Sequence, residues 1–135
     1  MKTAFYLSGL PNFLAYFGVA ILLLLVFAMV YSKLTPHHEF KLISENKPAA
    51  AIAFAGSLLG FVLPLYSAIS HSVSLIDCVI WGLVAIIVQL ITFFCLRLFI
   101  KDLSQRIARD EIASGIFVAA SSVAVGLLNA ACMSY

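Results

Sequence analysis

The chain has 135 residues, of which 64% are hydrophobic and 10% charged, with a mean hydropathy of +1.12 and a formal charge of +2. Soluble domains are about 45–50% apolar and about 25% charged, so a soluble globular enzyme, a disordered chain and a nucleic-acid-binding domain are excluded. An integral membrane protein remains, and at about 20 residues per span no separate soluble domain fits.

Charged residues divide the chain. Segments 3–32, 48–76, 78–96 and 112–135 contain no Asp, Glu, Lys or Arg. Each can cross a hydrocarbon core about 30 Å thick, and in lipid such a run satisfies its own backbone only as a helix. They predict an all-α membrane protein, a single domain over 1–135, with four transmembrane helices at about 11–32, 49–70, 75–96 and 112–133.

The first span exceeds a signal peptide's apolar region of about 7–15 residues, and its basic flank follows it. Ala28-Met29-Val30 is also a poor cleavage site, so the segment is expected to stay as a span. The loop after it carries Lys33, Lys41 and Lys47, with His37, His38 and Glu39 clustered behind Pro36. Adjacent histidines lack the His-x-x-x-His spacing that aims two ligands from one helix face, so no metal site is expected. Span two contains Gly56-Ser57-Leu58-Leu59-Gly60, and Pro64, which should kink the helix and free a backbone carbonyl. His71 follows, across the bilayer from His37 and His38, which excludes a haem held by two histidines of one chain.

Ser74 and Asp77 read as a capping start to span three. Gln89 is its strongly polar residue near mid-span, where an interhelical hydrogen bond is the plainest role. The next loop holds Arg97, Lys101, Arg106 and Arg109. In the two loops Phe40, Leu42 and Ile43, and then Leu103 and Ile107, recur at rough helical spacing and predict short interfacial helices with buried apolar faces. Cys78 opens span three and Cys132 nearly closes span four, both near the outer face, where they could be bridged or serve as plain packing residues. Seven of the eight basic residues lie in the loops 33–47 and 97–111. The positive-inside rule therefore places these loops in the cytoplasm and both termini outside.

A shift of 66 overlays the two halves as a parallel two-plus-two repeat. Ala49, Ala53, Gly56 and Gly60 fall on Gly115, Ala119, Ser122 and Gly126. Each set forms a narrow stripe of small residues. Such stripes allow close helix packing in lipid, so spans two and four should pack tightly, on each other or on a neighbouring subunit. Spans one and three, with bulkier faces at Leu22 to Val26 and Val84 to Val88, should face lipid more.

Three runs then carry a resemblance: Tyr31-Ser32-Lys33-Leu34-Thr35-Pro36-His37, Gly56 through Leu65, and Asn129-Ala130-Ala131-Cys132-Met133. From about residue 15 to the C-terminus the chain resembles the bacterial family called domain of unknown function 350. The resemblance implies a small multi-pass protein of a bacterial inner membrane, in which the outward termini would be periplasmic. It brings no catalytic or binding residues, and the gene neighbourhoods of the family imply an envelope role. No cofactor is expected, and no nucleophile–base set supports an enzyme. Two functions stay open. One is a homo-oligomeric membrane scaffold or accessory subunit whose loops dock a soluble cytoplasmic partner. The other is a channel or transporter subunit with a polar pathway through Ser57, Gln89 and Asn129, joined by Ser121 and Ser122. In either, the remaining partner is membrane lipid.

Overall fold

The computed structural model describes residues 2–35 and 39–133. It is helical throughout: α1 (Lys2–Leu7), α2 (Leu10–Leu34), α3 (Glu39–Ser44), α4 (Pro48–His71), α5 (Leu75–Phe99), α6 (Leu103–Ala108) and α7 (Ile112–Cys132). Four of these, α2, α4, α5 and α7, are long and apolar enough to span a membrane.

Local chemistry explains the ends. Pro11 and Pro48 sit in the first turns of α2 and α4, where a missing N–H costs nothing and the fixed φ suits a helix. At α5 the Ser74 hydroxyl accepts the Asp77 N–H at 3.2 Å, and Asp77 Oδ2 accepts the Val73 N–H at 3.1 Å. The first bond satisfies one orphan donor of the helix, and the second fixes the chain just ahead of the cap. Asn46, at φ 62°, and Asp110, at φ 63°, follow the two short helices in the left-handed conformation. The paired bonds Lys47 N–H to Leu42 O and Asn46 N–H to Ile43 O recur as Glu111 N–H to Arg106 O and Asp110 N–H to Ile107 O. This is the Schellman pattern, and it stops each short helix before the next span begins.

Long helix, six-residue helix and long helix thus occur twice in succession. The starts of α3 and α6 are 64 positions apart, 39 against 103, where the shift read along the sequence is 66.

At the centre stands α4, packed against α2, α3, α5, α6 and α7, with α7 its closest neighbour. Of the spanning stretches 56% of α4 is buried, 39% of α5, 22% of α7 and 11% of α2. The expected ordering therefore changes for two spans. α5 turns Ala85, Ile86 and Gln89 inward. α7 buries one face on α4 and leaves Ile116, Phe117, Leu127 and Leu128 exposed. Lipid solvates that outer face as well as it solvates α2, so nothing drives its burial.

Candidate functional site

The small-residue stripes of α4 and α7 meet each other inside one chain. A methyl at Gly56 would strike the backbone of Ala119, one at Gly60 the Ser122 carbonyl, one at Gly115 the Ala49 carbonyl, and one at Gly126 the Gly60 carbonyl. Each approach is closer than a real Cβ tolerates. Ala49 and Ala53 are fully buried on the same face. Two further bonds tie the ends of the pair. Ser67 Oγ donates to Ala130 O at 3.0 Å, and the Ala49 N–H donates to Asp110 Oδ1 at 3.0 Å. The second is a cap on α4 supplied from the α6–α7 turn, with the acid at the positive end of the helix.

Mid-bundle polarity centres on Gln89. Proline has no N–H, so Pro64, inside α4, leaves the Gly60 carbonyl without its helical donor. Gln89 Nε2, reaching across from α5, donates to Gly60 O at 3.0 Å and to Ser122 O at 3.1 Å. One amide thus fills the vacancy in α4 and ties α4, α5 and α7 together. Gln89 is 2% exposed.

Below it, toward the short helices, lies an aromatic cluster. Phe27 stacks on Phe61 at 4.8 Å, and Tyr31 meets Phe93 at 5.4 Å and Phe54 at 5.9 Å. The Tyr31 side chain also faces Ser57 and Glu39, while Ser57 Oγ donates to Ala53 O at 3.0 Å. Of the other polar-pathway candidates, Ser122 lies in the α4–α7 contact, while Ser121 and Asn129 are half-buried on α7.

Glu39 is the residue that sequence reasoning passes over. It reads as part of a solvated loop cluster, yet it is 1% exposed. Its carboxyl is hydrogen-bonded to Thr35 Oγ1, which also lies 2.9 Å from Tyr31 O. Burial pushes the acid up to about 7, against a smaller lowering by the Thr35 bond. The available signal is spacing: Glu39, Leu42 and Ile43 fall at i, i+3 and i+4, the inward side of α3, while Phe40 is exposed and edges onto Phe54. Phe40 therefore does not belong to the buried face expected for this helix. In α6 the expected pair, Leu103 and Ile107, is buried.

His37 and His38 lie outside the described residues. Cys78 is buried, Cys95 and Cys132 are exposed, and all three are free thiols. Among the described residues no cluster of three or more metal-ligating side chains occurs.

Four apolar spans, with Gln89 and Ser67 bonded across helices to main-chain carbonyls, define a small multi-pass membrane protein. The comparisons with known proteins agree with that class. The chain belongs to the family described as Domain of Unknown Function (DUF350), which matches residues 5–133. It is 42% identical over 96% of its length, and 98% of the relative's, to the UPF0719 inner membrane protein YjfL of Escherichia coli strain K12. The UPF0719 transmembrane protein YshE of Bacillus subtilis strain 168 is 28% identical over 94% of this chain and 96% of its own. No solved structure matches.

Proposed function

We propose that the protein is a homo-oligomeric membrane scaffold or accessory subunit serving the bacterial envelope, without catalytic activity of its own. In this reading the segments 33–47 and 97–111 face the cytoplasm, both termini face outward, and the loop face docks a soluble partner. One observation carries the proposal: the polar hydrogens of Gln89, Ser57 and Ser67 are spent on main-chain carbonyls, those of Gln89 and Ser67 between helices. Groups so engaged contribute to rigidity rather than to a passage for solutes.

A second copy would have to use a face other than the glycine stripes, which are occupied within the chain. An open apolar groove of about 670 Å³ runs along the outside of the α4–α7 pair, lined by Ala55, Leu59, Ala120, Val123 and Ala124 among others. Exposed alanines there permit a close helix approach. Ala120→Trp and Ala124→Trp should reduce the oligomer size in mild detergent without unfolding the chain; unchanged size would remove the homo-oligomer part. Gentle extraction from native membranes, followed by quantitative mass spectrometry, tests the docking part. A soluble partner near one-to-one supports it.

A channel subunit is the second reading. It is favoured by Gln89 Oε1 and Asn129 Nδ2, buried polar atoms with no hydrogen-bond partner among the described residues. Recovery of a bare homo-oligomer, together with solute flux in vesicles that Gln89→Ala alters, would replace the scaffold reading with this one.

A further inference from the structure

The turn from α5 into α6 holds a small polar cavity of about 190 Å³, lined by Arg97, Asp102, Leu103, Ser104 and Gln105. Ser104 is 5% exposed, and its hydroxyl is buried without a hydrogen-bond partner among the described residues. A buried hydroxyl left so is costly, and a ligand that accepts its proton removes the cost. Asp102 stands at the N-cap position of α6, yet its carboxylate caps nothing. Arg97 and Asp102 line the same cavity and form no ion pair with each other among the described residues.

The lining selects its occupant by charge. It has one cation and one anion, beside a neutral hydroxyl and a neutral amide. A lone anion would pair with Arg97 and be repelled by Asp102, and a lone cation would do the reverse. A group that carries both signs satisfies both walls. Arg97 is set for the anionic part. Its guanidinium lies 5.9 Å from the centre of the Phe94 ring, and its planar fork can donate in pairs to phosphate oxygens. Asp102 suits a primary ammonium, which has N–H groups to give to a carboxylate.

The place of the cavity in the fold points to the source. Arg97 falls in the last turn of α5, a helix long enough to cross a membrane, where a basic side chain reaches headgroup depth. Leu98 and Phe99, next to it, are 87% and 84% exposed and offer apolar surface to acyl chains. We propose that this cavity binds a lipid headgroup of the phosphoethanolamine type. The phosphodiester sits on Arg97, the ammonium on Asp102, and the Ser104 hydroxyl donates to a phosphate oxygen. The inference holds for either orientation of the loops, and for the scaffold and channel readings alike. The same chemistry, an ammonium beside a phosphate, occurs in free phosphoethanolamine, and the test separates the two.

That test is native mass spectrometry of the full-length protein from detergent micelles. The protein is titrated with phosphatidylethanolamine, phosphatidylcholine or phosphatidylglycerol of identical acyl chains. The first bound lipid should be phosphatidylethanolamine by about five- to tenfold over either of the others. Choline has no N–H for Asp102, and a glycerol headgroup leaves that carboxylate without a cation. Asp102→Asn should shift the preference toward phosphatidylglycerol, and Arg97→Gln should weaken the first binding about fivefold for all three. Arg106→Gln, on the same short helix and outside the cavity, should keep the native preference. Equal binding of the three lipids by the native protein overturns the proposal without reliance on any variant. So does a preference that survives Asp102→Asn or disappears in Arg106→Gln, or binding that Arg97→Gln leaves unchanged. Free phosphoethanolamine in large excess should not displace the bound lipid. Displacement would give the site to a soluble zwitterion and overturn the lipid assignment.

Discussion

Replacing Gln89 with Leu tests whether the mid-bundle tie works as described. Leucine is close to glutamine in size, so the packing loss is small. What is lost is the donor to Gly60 O, an acceptor that Pro64 has deprived of its helical N–H. Ser122 O is less affected, because the Gly126 N–H lies four residues on within α7. A buried acceptor left without a donor costs about 1–3 kcal/mol. In a membrane the figure tends to the lower end, since the unfolded segments find partners too, and measured interhelical bonds average about 0.6 kcal/mol.

The sharper test adds Pro64→Ala. Alanine restores the N–H at position 64, so Gly60 O regains a donor from its own helix. Gln89→Leu should then cost about 1 kcal/mol less than it does in the native background. The assay is reversible unfolding in mixed micelles of rising dodecyl sulfate content, followed by the fluorescence of the single tryptophan, Trp81 on α5. Distant, independent substitutions add within about 0.3–0.5 kcal/mol. Additivity within that margin would mean that Gln89 does not compensate for Pro64, and the argument would fall.

Four other outcomes follow from the structure. Gly60→Ala and Gly126→Ala place a methyl on a facing carbonyl and should each cost at least about 1–3 kcal/mol by overpacking. Gly18→Ala, with open space around it, should be neutral or stabilise by up to about 1 kcal/mol in the same titration. Asp110→Ala removes the cap on the Ala49 N–H and should cost about 0.5–2 kcal/mol, seen as faster hydrogen exchange in the first turn of α4. Raising the pH through about 7 should lower global stability by up to about 3 kcal/mol, because the folded chain favours the protonated Glu39. Glu39→Leu, which copies Leu103, should flatten that dependence in chemical unfolding at several pH values.

The spans and their ends are legible in the chain because lipid leaves the backbone few alternatives. Pro11, Pro48, Ser74 and Asp77 then mark starts through chemistry that is local. Pro64 also announces a freed carbonyl, but the donor that fills it lies 25 residues further along, at Gln89, and no local pattern joins the two. The Asp110 cap on α4 is hidden for the same reason. The stripe residues indicate which faces touch, yet say nothing about how far the rest of α7 is covered; that depends on where α2 and α5 stand. Glu39 is obscured by its neighbours. Amid lysines and histidines it looks solvated, and only the inward phase shared with Leu42 and Ile43 distinguishes it.

The order of long, six-residue and long helix occurs twice, and the two stretches differ where the chemistry is. Whether positions are matched by the short-helix offset of 64 or by the stripe offset of 66, Pro64 falls on Leu128 or Ala130. Going back from Gln89 by 64 or 66 reaches Leu25 or Leu23. The vacancy thus exists only in the first half and its filler only in the second. Each half carries a polar feature that would be costly alone and is compensated by the other, so the pair gives the arrangement of halves a definite register in a solvent that provides no hydrophobic force between helices. Glu39 against Leu103 departs from this rule. There one stretch has an acid where the other has a leucine. A buried polar pair within the spans locks the bundle, whereas Glu39, hydrogen-bonded to Thr35 at the start of a six-residue helix, ties only the end of α2 to α3.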